Sequence, residues 1–134
     1  MKLSSKSITA IKLFIDLGEH YDEGFVSLVD IAKRKDLSKK FLEQIVPLFK
    51  NTGLLSGNRG NQGGYKLSKK PSEISLKEIV YVTETNLSES KVADELIDSI
   101  LDKVNALLDE YFSNVTLDKL IEKQTDSYSN NYII

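Results

Sequence analysis

Apolar residues recur at spacings of three and four along most of the chain and alternate over only one short stretch, which predicts helices with a single small hairpin. A first helix is expected from Ser5 to Leu17, capped by Ser4 or Ser5, with Ile8, Ile11, Phe14, Ile15 and Gly18 on its inner face and Gly18 and Gly24 bracketing the turn that ends it. Ser27 caps a second helix, with Asp30 at capping-box spacing, Leu28, Ile31 and Ala32 inward, and Lys33-Arg34-Lys35 closing its last turn against the helix dipole. Asp36-Leu37 leaves room only for a turn. Ser38 then caps a third helix that turns Phe41, Leu42, Ile45 and Leu48 inward.

Two short helices, a tight turn and a third helix form a helix-turn-helix pattern. Gly53 ends the third helix, Leu54 to Gly57 reads as a strand, and Tyr65 to Ser68 returns as its partner. Four of the seven glycines lie between Gly57 and Gly64, so the hairpin tip can approach another surface closely. A plain hairpin and a phosphate-binding loop are the alternatives, but the glycine spacing is neither Walker nor dinucleotide type and no helix follows directly. Arg59, at the base of this hairpin, is placed to reach into a minor groove as part of a wing. Pro71 to Leu87 reads as a connector with a short helix near Ser75 to Tyr81, capped by Ser72 or Ser75.

The longest periodic stretch follows. Ile97, Ile100, Leu101, Val104, Leu107, Leu108 and Tyr111 form one apolar stripe about four turns long, opposite Asp94, Glu95, Asp98, Asp102, Lys103 and Asp109. A matching helix from a second copy is the economical cover for it, giving a two-fold dimer, and folding back on the N-terminal part is the alternative. The expected class is mainly α with a small β-hairpin wing, a winged helix-turn-helix plus a long dimerisation helix. Its parts are residues 1–84, 85–125 and a flexible tail, 126–134.

Charge sharpens this picture. Residues 1–70 hold 13 Lys/Arg against 7 Asp/Glu, and residues 71–134 hold 5 against 13, although the whole chain is only at −2. Between Lys33 and Lys70, 10 basic residues face only Asp36 and Glu43. A basic block inside one folded segment suits a phosphate backbone, and a solvated basic face is the alternative. Cysteine is absent, which excludes disulfides, thiolate metal sites, cysteine-ligated clusters and cysteine nucleophiles. His20 is the single histidine and sits in a polar turn, so enzymatic chemistry is not expected. No stretch approaches the roughly 18 apolar residues of a membrane span, and no secretory signal opens the chain, so the cytoplasm is the expected compartment.

These segments resemble the Rrf-two-type winged-helix transcription regulators of bacteria. The resemblance is carried by Met1 to Ser4, Val26-Ser27-Leu28 with Ile31-Ala32, Leu37-Ser38, Phe41-Leu42-Glu43-Gln44-Ile45, Gly53-Leu54-Leu55, Arg59-Gly60, Gly63 to Leu67, Ile74 to Leu76 and Val115 to Leu120. It implies a sequence-specific repressor of a palindromic duplex, with the third helix in the major groove. Ser38, Lys39, Lys40 and Lys50 would then hold phosphates, and Glu43 and Gln44 would read bases. Arg59, Gly60 and Tyr65 would build the wing. A winged-helix protein-interaction module that has lost DNA binding is the rival reading.

Departures from the family pattern are informative. The three cysteines that hold an iron–sulfur cluster in many members have no counterpart in the stretch from Asn86 to Asp102. Ile8-Thr9 replaces the usual basic and aromatic pair, and Pro47 falls inside the third helix, where it should kink or end it. The cysteine-free branch, the cysteine-metabolism repressors, is the nearest in character; its members work with cysteine synthase. By that resemblance Tyr132, Ile133 and Ile134 form a tail that can enter an enzyme pocket for a small amino acid. A tail that frays or docks on its own dimer is the alternative.

Overall fold

The computed structural model describes residues 2–60, 63–85, 87 and 91–132. It is mainly helical with one two-stranded antiparallel sheet. Helix α1 (Ser5–Glu19) lies at the centre, with Ala10, Leu13, Phe14 and Leu17 at or near complete burial. Its N-cap is Ser4, whose hydroxyl accepts from the Ser7 amide at 3.2 Å. The Phe14 ring meets Phe49 edge-on at 4.9 Å.

The buried face of α1 is the expected one only in part: Phe14 is buried and Ile11 and Ile15 pack against the core, but Ile8 does not. Ile8 is 45% exposed, whereas Ser7 and Thr9 are buried. Polar side chains can occupy that face because Ser7 is satisfied there: its hydroxyl bonds Thr83 at 2.6 Å and donates to Glu84 at 2.7 Å. Gly18 sits inside the helix rather than at its end, and a Cβ there would lie 2.5 Å from the Ile121 side chain, so it marks a close helix crossing.

Helix α2 (Leu28–Lys35) is capped by Ser27, and Asp36 takes the left-handed conformation (φ 52°) that ends it. Helix α3 (Lys39–Ile45) is capped by Ser38 and passes into a 3-10 turn, Val46–Phe49, at Pro47. The change from 3.6 to 3 residues per turn buries Val46 and Phe49. Leu48, expected inward, is 41% exposed instead.

Asn51 and Gly53, both at positive φ, turn the chain into strand β1 (Leu55–Asn58), which pairs with β2 (Gly64–Leu67) from Leu55↔Leu67 to Asn58↔Gly64. A further bridge joins Val26 to Tyr65, through two backbone hydrogen bonds of 2.8 Å. Helix α4 (Leu76–Thr83) begins with a complete capping box between Ser75 and Glu78. Helix α5 (Glu95–Asn114) is capped by Asp94, and α6 (Leu117–Tyr132) follows after a bridge between Ser75 and Thr116.

Two features depart from the expected parts. Helix α6 returns to α1, with Leu117 fully buried and Ile121 against Gly18, so the chain beyond residue 84 re-enters the N-terminal core. The stretch from Asp126, expected as a flexible tail, is helical as far as Tyr132; Ile133 and Ile134 lie outside the described residues. Helix α5 packs on α4 through Phe112, while Ile97, Ile100, Val104, Leu107 and Tyr111 of its apolar stripe stay 41–57% exposed. Leu101 and Leu108 are half-buried. No described helix is long and apolar enough to cross a membrane.

Candidate nucleic-acid interface

The outer face of α3 is built by its cap and its sequence together. Ser38 accepts from the Phe41 amide at 3.1 Å, which leaves its hydroxyl proton available to a ligand at the helix start. With Leu42 and Ile45 turned into the core, Lys39, Lys40, Glu43 and Gln44 are exposed. Lys39 pairs with Glu43 at 3.4 Å along the same face, a half-exposed contact that a ligand can exchange at small cost. The side chains expected to read a duplex therefore share one surface.

The hairpin stands beside the 3-10 turn that continues α3. An open groove of about 490 Å³ runs between the 3-10 turn and the wing, walled by Val46, Pro47, Phe49 and Leu55 and lined by Lys50, Asn58, Arg59 and Tyr65. Lys50 and Arg59, nine residues apart in sequence, come to the same groove because the turn at Asn51–Gly53 reverses the chain. Tyr65 is half-buried in its floor, and its backbone is held by Val26. Gly60, at φ 110°, lies at the exposed start of the tip. Asn58 was not singled out from the sequence, and Pro47 only as a helix breaker; the fold places both in the groove.

Several cations of the basic block are consumed internally. Arg34 pairs with Asp16, Lys35 with Glu19 at 2.6 Å and Lys69 with Glu78 at 3.7 Å. Lys66 lies 4.7 Å above the Phe25 ring, fastening the wing to the segment before α2. Lys33, Lys40, Lys50, Arg59 and Lys70 have no acidic partner among the described residues. The cations that remain are spread over α2, α3, the turn after it, the wing and the segment after β2.

The family model described as "Rrf2: Iron-dependent Transcriptional regulator" matches residues 3–123. The chain belongs to the Rrf2 family. Among its relatives is the HTH-type transcriptional regulator CymR of Bacillus subtilis, 36% identical over 95 residues, covering 71% of this chain and 69% of the relative. The HTH-type transcriptional regulator IscR of Photorhabdus laumondii is 28% identical over 133 residues, covering 92% and 81%. The structure of B. subtilis CymR, described as its global cysteine regulator, superposes with a TM-score of 0.81 at 29% identity over 92% of this chain and 98% of that one. IscR of T. potens gives 0.80 at 31% identity, over 95% and 90%. This Rrf2 protein is thus a DNA-binding transcription regulator of the winged-helix type.

An iron group held by thiolates does not fit its residues. The chain has no cysteine, and the stretch from Asn86 to Asp102 offers carboxylates as its charged donors. Among the described residues no three His, Cys, Asp or Glu side chains gather as a metal-binding set.

Proposed function

We propose that this Rrf2 regulator is a dimeric repressor that binds a palindromic duplex without an iron–sulfur cluster. The observation that carries the reading is the convergence of Lys50 and Arg59 in one groove at the turn that continues α3. In the proposed complex α3 enters the major groove. Gln44 pairs with an adenine edge and Glu43 accepts from a cytosine amine. Ser38, Lys39, Lys40 and Lys50 hold phosphates and fix the register, while Arg59 and the Gly60 tip enter the neighbouring minor groove. Tyr65 supports the wing from below.

The exposed stripe of α5, centred on Ile100, Val104 and Leu107, supports pairing with a second copy. Cysteine synthase is the proposed protein partner, on the resemblance to the cysteine-free branch and the likeness to CymR; we place the protein in the cytoplasm on the same grounds. The test is selection of duplexes from a random-sequence library by the purified protein. Enrichment of an inverted repeat bound by two copies supports the reading; recovery of no common sequence counts against it.

A further inference from the structure

The main interface of α5 with the rest of the chain is with α4. The joint has three parts. At its base, the Leu76 amide donates to the Val115 carbonyl at 2.7 Å and the Leu117 amide to the Ile74 carbonyl at 2.8 Å, pinning the end of α5 beside the start of α4. Next, Phe112 meets Tyr81 edge-on at 6.1 Å. Finally, Lys77 reaches Asp109 at 2.6 Å, with its ammonium also 5.4 Å from the Tyr81 ring.

A backbone bridge fixes a point but not an angle, and an apolar contact tolerates sliding. The ion pair, with Lys77 41% and Asp109 46% exposed, adds a direction to the joint rather than much stability. Asp109 lies five residues before Asn114, the last residue of α5, about 7.5 Å along the helix axis, so it holds α5 away from its pinned end. The other end of α4 is fastened to α1, where Glu84 accepts from the Ser4 amide at 2.6 Å and from the Ser7 hydroxyl. Helix α4 thus carries the orientation of α5 into the DNA-reading unit.

We propose that Lys77 and Asp109 are positioning residues that set the angle between α5 and the winged helix, and so the half-site spacing the dimer accepts. This rests on the dimeric DNA-binding reading above. Moving one half-site by a base pair displaces it by about 3.4 Å and rotates it by about 34° around the duplex, which a stiff joint cannot follow.

The test uses duplexes selected by the wild-type protein, with half-sites re-spaced by one base pair in either direction. Wild type should lose about tenfold in affinity or more on re-spacing, and Asp109→Asn about threefold or less, with sedimentation still showing two copies. Exchanging the charges (Lys77→Asp with Asp109→Lys) should restore the wild-type ratio, which a merely structural role would not. A spacing ratio unchanged in Asp109→Asn, or a wild type indifferent to spacing, overturns the inference alone. A wild type that selects no duplex brings down the functional reading and the inference with it.

Discussion

Arg34 closes a two-pronged ion pair on Asp16, with Nε 2.9 Å from Oδ1 and Nη2 2.9 Å from Oδ2. The Asp16 side chain is wholly buried in α1, while Arg34 on α2 keeps part of its surface in water. The pair fixes α2 on the central helix and so sets where the turn at Asp36 delivers α3. Arg34→Ala should lower stability by about 2 kcal/mol in urea denaturation, since it strands a buried carboxylate whose partner was partly solvated. Removing both side chains should cost less than the sum of the single losses. Additive losses would show that the two side chains are not coupled.

The wing depends on a glycine. A Cβ on Gly64 would lie 2.2 Å from the Val26 carbonyl oxygen, inside the bridge that holds Tyr65. Gly64→Ala should therefore break both hydrogen bonds between Val26 and Tyr65 and cost about 2 kcal/mol. Hydrogen exchange at the Val26 and Tyr65 amides is the readout: both should lose protection, and protection equal to wild type would contradict the packing described.

Glu84 links α4 to the start of α1. Hydrogen bonds from Ser4 and Ser7 hold its carboxyl below the ordinary value of 4.5. A depressed acid contributes stability that is complete above its unfolded value and is lost as pH falls through the folded one. Wild type should accordingly lose stability more steeply than Glu84→Gln as pH drops below about 4.5. Parallel curves for the two proteins would remove Glu84 from the account.

The stripe on α5 makes a separate prediction. Leu107 is 54% exposed in the single chain, so Leu107→Glu leaves the fold of one copy intact while placing a charge in the proposed interface. Sedimentation should show a folded monomer with weakened binding to a full palindrome. A dimer of unchanged strength would place the interface elsewhere.

Helix starts were legible in the sequence because each carries its own signal: Ser4, Ser27, Ser38 and Ser75 all cap through their side chains. Ile8 and Leu48 were misplaced for a different reason. The polar side of the buried face of α1 depends on the Ser7–Thr83–Glu84 cluster, in which Ser7 meets residues more than seventy positions away. Leu48 turns outward because the 3-10 turn at Pro47 shifts the phase of the buried positions. Helix α6 was hidden by the polar run after Lys123, which carries little apolar period of its own. For the site, the outer side of α3 follows from the spacing of its apolar residues, and the roles expected of it come from the family resemblance. The meeting of Lys50 with Arg59 could not, since it depends on the backbone reversal at Asn51 and Gly53.

The central claim is that α3 and the wing together bind a duplex. Its most direct test is the affinity of wild type, Gln44→Ala and Arg59→Ala for one selected duplex, measured as salt rises from about 50 to about 200 mM. Wild-type affinity should fall by about a thousandfold over that range if roughly six phosphates are neutralised. Gln44→Ala should cost about 1–3 kcal/mol without changing the salt slope, whereas Arg59→Ala should also reduce the slope by about one. Binding that is flat in salt and indifferent to both substitutions would contradict the account and leave a protein-interaction module in its place.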